Sequence, residues 1–139
     1  MLSCFRGKLP RVKAVLCKAF GPPESLVVED IPSPVPGPGE VVISVKAASV
    51  NFPDVLIIQN KYQFKPPLPF SPGSEVAGTV KAVGEGVTAF APGDSVLAMT
   101  TYGGFAEEVK TEARRLPTRL PRRRSRQGHP ARPPGHRAS

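Results

Sequence analysis

Glu40–Val50 reads EVVISVKAASV, and its reading decides the fold. Val41, Ile43, Val45 and Ala47 fall on one side of an extended chain, and Val42, Ser44, Lys46 and Ala48 on the other. A period of two is the mark of a half-buried strand. Just before it, PSPVPGPG (Pro32–Gly39) is a connector that proline keeps out of any helix. Working outward, Val12–Ala19, Leu26–Ile31, Glu75–Val83, Ser95–Met99 and Gly103–Val109 are further short strands. In Glu75–Val83 the pattern puts Val76, Val80 and Ala82 on one face. Ala91–Asp94, APGD, is a turn with Pro and Gly where a turn needs them. One short helix is expected. It starts at Asn51-Phe52-Pro53-Asp54, with a capping residue beside a first-turn proline, and ends near Asn60-Lys61. Many short strands with Pro/Gly turns predict a mainly β fold: a partly open antiparallel roll or barrel with one short helix.

Composition sets the outer limits. A chain of 139 residues suits one domain with a real core. No apolar run approaches the length of a membrane span, so no membrane partner is expected. Cys4 and Cys17 lack zinc-type or redox-type spacing, which argues against a disulfide framework and fits a reducing compartment. The net charge of +8 suggests a nucleic-acid binder until it is divided along the chain. Residues 1–113 hold 10 Lys/Arg and all 11 acids, for a net −1, whereas residues 114–139 hold nine Arg and no acid, for a net +9. The body is nearly neutral and the excess belongs to one segment.

Both histidines, His129 and His136, lie in that arginine-rich segment. The body therefore offers no Ser-His-Asp or zinc-His site. VGEGVTA (Val83–Ala89) has the Gly-x-Gly-x-x-Ala spacing of a dinucleotide turn, but Pro92-Gly93 follows too soon for the helix such a turn must open. It reads as a plain loop. Asn51 is a helix cap or a polar contact in a cleft. Tyr62, in QNKYQF, is a structural ring with its hydroxyl at the rim, or a hydroxyl aimed at a bound molecule. LPFSPGSEVAGTV (Leu68–Val80) sets Ser74-Glu75 between a rigid turn and a strand, where a metal enzyme would carry imidazole or thiolate.

Taken together, VKAASVNFPDVLIIQNKY, PPLPFSPGSEVAGTVKAVGEGVTAFAPGDSV and YGGFAEEV resemble the N-terminal GroES-like domain of medium-chain dehydrogenases/reductases. More narrowly they resemble the quinone oxidoreductase branch, close to zeta-crystallin-like proteins. The resemblance covers about Val12 to Val109. Zinc alcohol dehydrogenases of that superfamily carry Cys at the place matching Asn51 and His at the place matching Ser74, in Gly-His-Glu. Here the motif is Gly73-Ser74-Glu75, so the resemblance implies a zinc-independent member with no metal ligands. It further implies NADPH as cofactor, a quinone-type or activated alkene or carbonyl substrate, and a homo-oligomer. Asn51 and Tyr62 would line the cleft beside nicotinamide and substrate. Glu75 would organise hydrogen bonds near the turn. Ser74 would fill space, since a nucleophile needs a base within reach.

The domain organisation follows. Residues 1–11 are an extension whose Arg6, Lys8 and Arg11 suit a mitochondrial targeting segment, with a cytoplasmic protein as the alternative. Residues 12–113 are the GroES-like domain. Residues 114–139 are an Arg/Pro-rich tail expected to be disordered, read either as frame-shifted or alternatively spliced sequence or as a basic arm centred on RRRSR (Arg122–Arg126). No aromatic accompanies these arginines, so nucleic acid is the weaker expectation. The Rossmann domain that follows the roll in the family is not seen, and no residue is assigned to cofactor binding. The chain reads as a truncated member, inactive alone. The alternative is a non-enzymatic β-roll with a nucleic-acid-binding tail.

Overall fold

The structure is a computed structural model and describes residues 9–121. The expected targeting segment falls mainly on residues 1–8, and RRRSR, both histidines and most of the expected disordered tail fall on 122–139; these lie outside the described residues.

Seven strands and one helix follow in order: β1 (Arg11–Leu16), β2 (Val27–Pro32), β3 (Glu40–Ala48), α1 (Phe52–Ile58), β4 (Glu75–Val83), β5 (Ser95–Met99), β6 (Glu108–Glu112) and β7 (Thr118–Arg119). β1 and β2 form a two-stranded antiparallel sheet. The other five pair in the order β6-β3-β4-β5-β7, antiparallel throughout. β6 and β7 are edges that do not pair with each other, so the sheets stay open rather than closing into a barrel. The mainly β class with one short helix holds.

β3 and β4 make the centre. Val41, Ile43, Val76, Val80, Val96, Ala98, Val109 and Leu116 pack into one core. Val42, on the opposite face of β3, is also buried, so the first half of that strand is covered on both sides. Full burial of Ile43 contributes on the order of 2–3 kcal/mol. Gly78 lets the two strands cross closely, because a Cβ there would lie 2.1 Å from the Ser44 carbonyl oxygen.

Three sequence expectations need correction. Val83, not Ala82, reaches the core. Val42 pairs with Ala82 and Ile43 with Val80, so Lys81 is an extra residue and reverses the alternation beyond it. The sixth strand is Glu108–Glu112 rather than Gly103–Val109. Gly103–Phe105 instead turns back on the Ser71–Gly73 corner, with Gly103 N donating to Ser71 O at 2.7 Å and Phe105 N to Pro72 O at 2.9 Å. Regular structure also runs past residue 113. A 3-10 turn at Ala113–Arg115 leads into β7, and Leu116 enters the core. Three arginines first assigned to the tail are thereby used by the fold: Arg114 bonds Glu112, Arg115 bonds Thr101 and Arg119 pairs with Asp94. Gly84–Asp94 connects β4 to β5 without a helix, so VGEGVTA is the end of a strand and a loop, as its prolyl neighbour requires.

Candidate functional site

The site is built around the start of α1. Asn51 is the N-cap, in extended backbone, with Pro53 in the first turn. Asp54 closes the cap: its Oδ2 accepts the Asn51 N–H at 2.8 Å. Its Oδ1 accepts the Gly73 N–H at 3.2 Å, across 19 residues of sequence. Asp54 is only 6% exposed, so this carboxylate serves as an internal clamp between the helix and the Pro72-Gly73 turn.

The turn is fixed from its other side by Thr100. The Thr100 N–H donates to Ser74 O at 2.7 Å and its hydroxyl to Gly73 O at 3.0 Å. Gly73 has φ +99, and a Cβ there would sit 2.8 Å from the Phe105 nitrogen. The position therefore needs glycine for conformation and for space.

Glu75 carries a second polar knot. Its Oε2 accepts from the Ser49 hydroxyl at 2.7 Å and from the Asn51 amide nitrogen at 3.1 Å, and that amide also donates to Ser49 Oγ at 3.0 Å. These bonds, Ser49's first and then Asn51's, hold the exposed Glu75 carboxyl below its ordinary range. The organising role expected for Glu75 has this geometry behind it. The Asn51 amide points N–H groups at the Glu75 oxygen, the wrong polarity for a cation between them. Among the described residues no group of three or more His, Cys, Asp or Glu comes together, so the donor set does not fit zinc.

Asn51, Tyr62, Ser74 and Glu75 line one cleft of about 520 Å³, with Pro53, Met99, Thr100, Thr101 and Arg115. The structure thus brings the two predicted site residues together. Tyr62 also packs against a second apolar cluster of Cys17, Ile57, Ile58 and Phe70, so the ring is structural while one side faces the cleft. Burial pushes the Cys17 thiol up, away from thiolate. Among the described residues no side-chain hydrogen bond engages the Ser74 hydroxyl. A neighbouring cavity of about 570 Å³ shares Thr100, Thr101 and Arg115 but holds neither Asn51 nor Tyr62. Sequence reasoning missed Asp54 as a clamp, Thr100, and Arg115. Asp54 stands three residues after Asn51, a capping-box spacing visible in the sequence; its bond to Gly73 has no local signal.

A pyrophosphate site does not fit these residues. α1 is seven residues long, its Pro53 has no N–H, and the Asp54 N–H donates to Asn51 O at 3.0 Å. No glycine-rich turn opens a helix among the described residues.

Residues 37–122 match the alcohol dehydrogenase GroES-like domain. The chain is 43% identical to quinone oxidoreductase of Lama guanicoe over 98 residues, covering 69% of this chain and 30% of that one. It is 39% identical to the synaptic vesicle membrane protein VAT-1 homolog of Rattus norvegicus over 102 residues, covering 72% of this chain and 25% of that one. Among solved structures, a mycobacterial protein complexed with NADPH superposes with a TM-score of 0.73 at 36% identity, covering 82% of this chain and 35% of that one. The chain spans about a quarter to a third of the length of the curated relatives it matches.

Proposed function

From the premise that this chain belongs to the alcohol dehydrogenase GroES-like domain family, and that its relatives over this domain include quinone oxidoreductases, we propose that it forms the substrate wall of a zinc-independent, NADPH-dependent quinone reductase. The family reaction is hydride transfer from NADPH to a quinone or an activated alkene or carbonyl. The observation that carries this reading is the convergence of Asn51, Tyr62, Ser74 and Glu75 on one cleft. An apolar floor from Ile57 and Met99 suits a flat ring, and the Tyr62 hydroxyl supplies a polar contact to a carbonyl oxygen. NADPH would supply the hydride; these residues would bind and orient the acceptor beside it. The described residues hold one wall and no pyrophosphate cradle, so the 139-residue chain alone is expected to turn over nothing.

The test uses the isotope-labelled full chain and 1,4-naphthoquinone. Amide shifts should concentrate at residue 51, residue 62, residues 74–75 and residues 99–101, with no NADPH oxidation above the uncatalysed rate. Shifts confined to another surface would overturn the cleft assignment, and turnover would overturn the one-wall account.

A further inference from the structure

Among the described residues Arg115 is the one cation lining the cleft. It sits in the 3-10 turn between β6 and β7, and its Nη1 donates to the Thr101 hydroxyl at 2.8 Å. That bond aims the guanidinium along the rim shared by the cleft and the neighbouring cavity. Among the described residues no ion pair engages it, although Arg114 beside it is paired with Glu112 and Arg119 with Asp94. The two acids of the cleft are already committed: Asp54 to the Asn51 and Gly73 amides, Glu75 to Ser49 and Asn51. Those bonds leave both carboxylates charged; Arg115 is, among the described residues, the group of the cleft that carries positive charge, and it pairs with no acid.

We propose that Arg115 is a specificity residue, and that the cleft prefers quinone-type acceptors bearing an anionic substituent, a carboxylate or sulfonate, over neutral ones. The inference rests on the proposed function, because it takes the cleft as the acceptor site. A guanidinium offers a planar fork of N–H donors that matches the two oxygens of such a group. Ile57, Met99, Thr101 and Arg115 line the same cleft, and the acceptor would lay its ring on the first pair and its substituent toward the second. Arg115 is exposed, so the preference is modest: about three- to five-fold in Kd, the range of a solvent-exposed ion pair. It also declines with added salt.

Binding of 1,4-naphthoquinone and of 1,4-naphthoquinone-2-sulfonate to the full chain, followed by NMR titration, decides the matter. The sulfonate should bind more tightly and shift the Thr101 and Arg115 signals. Arg115→Gln should bring its Kd to that of the neutral quinone, while Arg115→Lys should keep part of the difference. High salt should abolish the difference in the wild-type chain and leave Arg115→Gln unchanged. Equal affinities in the wild-type chain, or a preference that survives Arg115→Gln, would overturn the proposal; in the second case the arginines of residues 122–137 would be the attracting charge. Failure of the neutral quinone to reach the cleft would overturn the proposed function instead, so the two failures are distinguishable.

Discussion

The two apolar clusters of this molecule are held by different means. The larger joins Val41, Ile43, Val76, Val80, Val96, Ala98 and Val109 from four strands of one sheet with Leu116 from the turn before β7, and each of those strands is fixed by a ladder of backbone bonds. The smaller gathers Cys17, Ile57, Ile58 and Phe70 beneath a seven-residue helix. A helix that short is marginal by itself. Its position depends on one buried carboxylate, Asp54, that joins it to the Pro72-Gly73 turn. In the sheet, apolar area and ladder bonds are redundant. In the cleft wall, a few polar bonds set the geometry, and loss of one leaves its partners stranded.

Substitutions graded by expected effect put that contrast at risk. Ile43→Ala removes a fully buried side chain from the centre of the sheet and should cost about 4 kcal/mol in urea unfolding. Gly78→Ala sets a methyl against the Ser44 carbonyl and should cost about 3 kcal/mol, because the obstacle is backbone rather than a side chain that can turn away. Asp54→Ala should cost about 2 kcal/mol by leaving the Asn51 and Gly73 N–H groups without their acceptor. Asp54→Asn should recover part of this through its remaining oxygen. The distinguishing readout is native-state hydrogen exchange. Asp54→Ala should speed exchange at residues 51–58 and 73–75 while β3 and β4 keep their relative protection. Uniform acceleration across β3 and β4 would mean that sheet and cleft wall are one cooperative unit, and the contrast would be lost.

The same contrast explains what the sequence disclosed. The sheet was legible because its signals are local: β3 and β4 follow from the alternation that carries Val41, Ile43 and Val45 and then Val76 and Val80, and β5 from the short apolar run after the APGD turn. The bulge at Lys81 was not legible, because nothing in VKAV marks an extra residue until the β3 partner is known. Gly103–Phe105 looked like a strand for its apolar content, yet its N–H groups donate to Ser71, Pro72 and Gly73. The helix start at Asn51 was visible from cap and proline. The link from Asp54 to Gly73 spans 19 residues and leaves no pattern. Arg115 was hidden by composition: set in a run of arginines, it read as tail, although its bond to Thr101 makes it part of the cleft.

The smallest expected effect concerns Glu75. Hydrogen bonds from Ser49 and Asn51 lower its pKa in the folded chain below the ordinary 4.5. A carboxyl whose pKa falls on folding stabilises the native state above its unfolded value, and that contribution is lost as pH falls through the folded value. Unfolding free energy of the wild-type chain should therefore drop more steeply than that of Glu75→Gln once pH passes below 4.5. Above that pH the two should differ by a constant. Glutamine keeps an oxygen for Ser49 and Asn51, so the constant should be small and the pH-dependent part carries the information. Glu75 is exposed, and solvent screening limits what its ionisation contributes. A wild-type minus Glu75→Gln difference that stays flat from about pH 6 to about pH 3 would show that these hydrogen bonds do not favour the ionised carboxylate. The polar knot would then hold Asn51 at the cleft by geometry alone.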